Sequence, residues 1–144
     1  MSEDTEKASA VLLELMSMMK EWENKFAALY RRENGGPEVH ASQAKVELQP
    51  IYQKYVTERD RNLGKMAGAS AGYPPEFDPD AEKIVFAESV SRRKVVIKTL
   101  WTHPRAPSNT RKHRYTMVSK DGSWRLDRKE IYSSSQGKWV KRVL

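Results

Sequence analysis

Near residue 83 the apolar residues of this chain change their period. Upstream, Val11, Leu12, Leu15, Met16, Met19, Trp22, Phe26, Leu29 and Tyr30 recur at three- and four-residue steps, with Glu14, Lys20, Glu21 and Lys25 between them. That spacing places the apolar side chains on one face of a helix. Downstream, Val95, Ile97, Thr99 and Trp101 alternate with Val96, Lys98 and Leu100, the period of a strand. Helices first and strands afterwards predict an α+β fold, with helices packed on one side of an antiparallel sheet.

The helical part spans residues 5–66. "ENGGP" at 33–37 ends the first helix, because two glycines and a proline cannot continue one cheaply. A second helix is predicted from near Ser42 toward Lys65, its regular part beginning close to Pro50, where proline is tolerated in a first turn. Residues 67–82, rich in Gly, Pro and small side chains, form a loop long enough to be more than a connector. Tyr73 and Phe77 within it are expected either to pin it to the body or to line a pocket mouth.

The sheet part spans residues 83–144, and the whole chain, 1–144, is read as one domain. Five strands are predicted at 83–90, 93–103, 113–119, 123–132 and 138–144, and short connections favour pairing between neighbours. Asp121-Gly122 supplies the positive backbone dihedrals of a tight hairpin. In the following "SWRLDRKEIY", Trp124 and Leu126 share an inward phase that Ile131 then breaks. A bulge near Arg128 restores the phase and bends the strand, which leaves the charges on the outer face.

Charge is unevenly divided. Residues 1–80 hold 10 Lys/Arg against 14 Asp/Glu, and residues 81–144 hold 16 against 5. A half with net charge of +11 attracts acidic protein, nucleic acid or anionic ligands. The 144 residues include no cysteine, which excludes disulfides and thiolate chemistry. The acidic "MSEDTEKASA" start and the early return of charge predict neither a signal peptide nor a membrane span. A soluble cytoplasmic protein is expected.

Two amphipathic helices, a loop and a meander containing "KDGSWRLDR" resemble the nuclear-transport-factor-2-like superfamily, matched at Asp121, Gly122, Trp124, Arg125 and Leu126. The resemblance implies a cone-like bent sheet wrapped on the N-terminal helices. The length, the "KIVFAESVSRRKVVIKT" hairpin and the "YTMVSKDGSWRLDRKEIY" end look most like bacterial immunity proteins of polymorphic toxin systems. Such proteins are cytoplasmic and non-enzymatic, bind a cognate protein toxin, and are often homodimers. Inhibitors of nucleic-acid-cleaving toxins are usually acidic where they meet the toxin. The basic sheet half therefore implies either a toxin of another kind or a contact made by the acidic helices.

Enzymes of the cone fold use acid–base groups in the cavity, and Asp127, Tyr115 and His103 are the analogous positions. Asp127 lies among Arg125, Arg128 and Lys129, which favour its ionised form, so a solvated cross-strand ion pair is expected instead. His40, His103 and His113 read as loop or strand-edge side chains, since no third ligand accompanies them. No metal or cofactor is expected. The candidate partner-binding residues are Arg92, Arg93, Trp101, Arg111, Lys112 and Arg114 from the basic segments, with Tyr73 and Phe77 from the loop. A ligand-binding or enzymatic cone cavity and a nucleic-acid surface are the two alternatives.

Overall fold

A computed structural model describes residues 2–59, 65–142 and 144. Helix α1, Glu3–Leu29, begins at Ser2, whose hydroxyl accepts the Thr5 N–H, with Glu3, Asp4 and Glu6 at the positive end of the helix dipole. Its buried face carries Leu12, Leu15, Met16, Met19, Trp22 and Phe26, as the period predicts. Met16 and Met19 are core, and Met18 is 40% exposed.

Helix α2, Pro37–Tyr55, starts earlier than the sequence suggests and runs through Pro50. Gly35 and Gly36 both adopt positive φ, turning the chain so that Pro37 opens the helix where its missing N–H costs nothing. Pro50 sits on the exposed side of α2, so the hydrogen bond it removes leaves a carbonyl near water rather than in the core. Residues 60–64, the far end of the expected helix, lie outside the described residues. A four-residue helix, α3, follows at Lys65–Gly68.

The sheet is an antiparallel meander in the order β1-β2-β3-β4-β5: Glu82–Ser91, Lys94–His103, Ala106–Lys120, Ser123–Ser133 and Lys138–Arg142. It does not close. Helix α1 packs on β1, β2 and β4, and α2 packs on α1 and β4, so among the described residues the helices cover one face and leave the other bare. The inner face buries Val95 and Ile97 of β2, Tyr115 and Met117 of β3, and Trp124 and Leu126 of β4. Strand β3 is longer than expected. "PSNTRK" extends it because Trp101 pairs with Arg111 and Thr102 with Thr110, while residues 107–109 bulge out before His103 meets Ala106.

The β3–β4 turn has Asp121 at φ 54° and Gly122 at φ 82°, the two positive dihedrals expected of it. The expected bulge is present one residue earlier than Arg128. Thr116 pairs with Arg128 and Met117 with Leu126, so Asp127 is the extra residue. Its carboxylate accepts a 2.7 Å hydrogen bond from Thr57 and pairs with Arg59, while the Thr57 N–H donates to the Leu126 carbonyl. The expected cross-strand ion pair is thereby replaced by a tie between the bulge and the chain leaving α2. Among the described residues, no helix is long and apolar enough to cross a membrane.

Candidate functional site

The extra residue at 127 shifts the alternation by one, so the residues after it emerge on the side opposite to the one an unbulged strand would give. Lys129 and Ile131 point inward, and Glu130 points outward. The charge of "RLDRKEIY" is therefore not all on an outer surface: Lys129 is 1% exposed inside the cone. Its ammonium lies 4.2 Å from the Phe77 ring centroid and 5.6 Å from that of Tyr115, and donates one long, 3.4 Å hydrogen bond to the Glu76 carbonyl. Burial, the largest influence, lowers its pKa, and nearby Glu76, Glu82 and Glu23 oppose that shift.

Beside it lies a polar cluster assembled from three strands. Glu82 begins β1, Thr99 lies on β2, and His113 and Tyr115 are inward neighbours on β3. Glu82 Oε2 accepts hydrogen bonds from the Tyr115 and Thr99 hydroxyls, each at 2.5 Å, and lies 3.1 Å from His113 Nδ1. Glu82 Oε1 has no hydrogen-bond partner among the described residues. Burial acts most strongly on the Glu82 carboxyl and pushes its pKa up. The bonds from His113 and Thr99 and the Lys129 charge outweigh burial and hold it below 4.5. Burial and the adjacent Glu82 charge raise the Tyr115 phenol well above its ordinary value. With Glu82 ionised, the cluster is a carboxylate held by three donors.

The cluster opens toward a pocket of about 380 Å³ at the cone mouth. His113, Lys129 and Trp101 are its buried lining, and His103, Arg111 and Arg142 stand nearer solvent. Phe77, 2% exposed, pins the 67–82 loop: its ring packs on Tyr115, and its N–H donates to Glu23 of α1. Tyr30 holds the same loop through the Ala69 carbonyl, and Lys20 holds it through Asp78. Tyr73 is 61% exposed, with Arg105 over its ring.

Among the described residues, no element covers the opposite face of the sheet. Pairing sets Phe86 beside Lys98, Lys98 beside Arg114, and Arg114 beside Glu130, while Tyr132 lies beside Trp139. Cations lie over three of these rings: Lys98 over Phe86 at 5.0 Å, Lys112 over Tyr132 at 5.8 Å and Arg114 over Trp139 at 4.7 Å. Glu130 accepts two 2.9 Å bonds from Arg114, and Arg128 lies 3.5 Å away. Hydrogen bonding from Arg114, the largest influence, lowers the Glu130 pKa.

A family model described as NTF2 fold immunity protein matches residues 7–143. The chain belongs to this immunity protein family. It is also similar to the immunity protein RhsIA of Dickeya dadantii (strain 3937), with 36% identity over 135 residues, 94% of each chain. No solved structure matches it. The family relationship makes this a toxin-neutralising protein, and the bent sheet on two helices agrees with the NTF2-like fold.

In this immunity protein the residues singled out from the sequence fall into separate places. Arg92 and Arg93 form the exposed β1–β2 turn. Trp101 and Arg111 face the cone mouth, whereas Lys112 and Arg114 reach, or frame, the uncovered face. Of the acid–base candidates, only Tyr115 joins the buried cluster; His103 stands at the mouth and Asp127 in the bulge. Glu82, Thr99 and Lys129 carry no sequence signature as a group. His113 had one: "HRYTM" alternates in phase with the buried Tyr115 and Met117, marking it as inward.

Proposed function

We propose that this immunity protein neutralises a cognate toxin of the cytoplasm by stoichiometric binding without turnover, through the uncovered face of its sheet. The carrying observation is that face's composition. Phe86, Leu100 and Tyr132 are 43%, 37% and 39% exposed there, interleaved with Lys98, Lys112, Arg114 and Arg128. Cations alone would keep a sheet soluble. Aromatic rings and arginines side by side are the composition of interface centres, where they supply area and directed hydrogen bonds.

The sign of the face calls for an acidic toxin surface. It suits protein better than single-stranded nucleic acid, because Phe86, Tyr132 and Trp139 each already carry a cation over the ring that a base would stack on. The acidic α1–α2 side is then left away from the contact.

The test is titration of the purified chain with the toxin encoded beside it, in physiological salt. A one-to-one complex and protection of toxin-expressing cells are expected. Lys98→Glu combined with Lys112→Glu should weaken the complex at least about tenfold while leaving the unfolding midpoint unchanged. Absence of any complex would overturn the function, and a double variant that binds like the parent would overturn the assigned face.

A further inference from the structure

We propose that the cone mouth is a binding site for a small organic monocarboxylate, held by Lys129 and Arg111 with its apolar body against Trp101. The site is separate from the toxin-binding face and does not depend on that assignment. Its first support is unmet hydrogen-bonding capacity. Lys129 is nine-tenths buried or more, yet among the described residues its ammonium makes one hydrogen bond, the 3.4 Å contact with the Glu76 carbonyl. A buried ammonium with spare donors has a strong drive toward an acceptor. The Glu82 carboxylate does not meet it with a hydrogen bond among the described residues: its Oε2 is turned to Tyr115, Thr99 and His113, and its Oε1 has no partner there.

The second support is the donor set around the opening. Arg111 lies over the Trp101 ring at 5.4 Å and forms no ion pair among the described residues. His103 Nδ1 accepts the Arg105 N–H at 3.0 Å, which leaves its Nε2 as the ring donor. Arg142 is held loosely, 3.9 Å from Glu76.

Shape and charge then select the ligand. Pro74, Pro75, Trp101 and Ile131 give the pocket apolar walls, and about 380 Å³ accommodates a body of ring size. Arg111, Lys129 and Arg142 line the pocket with Glu76 alone among carboxylates, while Glu23 and Glu82 lie behind Lys129, so the positive charge is concentrated at the opening. One carboxylate meets that opening and turns its apolar body to the walls. A phosphate dianion would add a second charge beside three carboxylates and would leave the apolar walls uncovered.

Benzoate is a suitable probe, with benzamide as the same ring without charge and inorganic phosphate as charge without the ring. Binding to the full chain is followed by amide and side-chain chemical shifts and by tryptophan fluorescence. Benzoate should saturate a single site, moving Trp101 and His113 resonances, with benzamide and phosphate at least about tenfold weaker. Arg111→Gln, at the exposed rim, should weaken benzoate about tenfold without changing the unfolding midpoint. Lys129→Met, whose apolar chain suits the Phe77 and Tyr115 rings, should abolish saturable binding while the amide spectrum stays folded. The proposal is overturned if benzoate fails to saturate below about 10 mM. Equal binding by benzamide, or shifts confined to surfaces away from the mouth, would overturn it as well.

Discussion

Tyr115→Phe isolates the bond on which the buried cluster depends. The substitution keeps the ring, 0% exposed and packed near Phe77, and removes only the hydroxyl that donates to Glu82 Oε2 at 2.5 Å. A hydrogen bond to an ionised group contributes about 1.5–3 kcal/mol, and the buried carboxylate cannot replace it with bulk water. The expected loss is about 2 kcal/mol at neutral pH, or roughly 7 °C in the melting midpoint of a chain this size. The loss should also depend on pH. Glu82 has its folded pKa below 4.5, so its contribution is present above 4.5 and fades as pH falls through the folded value. Losing a donor moves that pKa back up. The parent therefore has more to lose on acidification, and the gap between the two proteins should narrow below pH 4.5. Urea unfolding followed by tryptophan fluorescence at a series of pH values measures both quantities. A deficit under about 0.5 kcal/mol at neutral pH would refute the reasoning, because the bond would then be worth no more than a solvated one. A deficit unchanged by acidification would refute it differently, assigning the loss to packing rather than to the ionised carboxylate.

Lys129→Met should remove a rise of stability with pH. The folded ammonium has a lowered pKa, so the unfolded chain binds more protons between that value and 10.5, and the parent gains stability as pH rises through this window. Denaturant midpoints from pH 7 to 10 would show the slope in the parent and its loss in the variant. Asp127→Ala should cost about 1–2 kcal/mol and speed hydrogen exchange at the Thr57 amide, because it cuts the tie between the bulge and the end of α2. Arg114→Ala should destabilise by about 2 kcal/mol, measured by urea unfolding, since Glu130 is 5% exposed and would lose its bidentate partner. Gly122→Ala should cost about 1 kcal/mol by the same measure, through φ alone, because an added Cβ meets nothing within 4 Å.

Local chemistry made part of the molecule legible from residues in order. Helical spacing identified the buried side of α1, and Asp121-Gly122 identified the β3–β4 turn, because both depend on neighbours within a few positions. The broken alternation in "RLDRKEIY" called for a bulge, and one is there. Pro50 misled the placement of α2. Proline's preference for a first turn is a weak local bias, and the buried Ala44, Leu48 and Ile51 outweighed it by packing the helix on both sides of the proline.

The amino-acid order by itself determined helices before strands, the concentration of positive charge after residue 80, and the need for a bend in β4. Tertiary structure alone decided which side chains the bend turned inward. The extra residue at 127 puts Lys129 in the cone and Glu130 on the open face, and an unbulged strand would exchange them. It also decided that Glu82, Thr99, His113 and Tyr115 would share one carboxylate oxygen, although up to 33 positions separate them. Strand register brings such residues together, and register is set by pairing across the sheet, which no short stretch of sequence encodes.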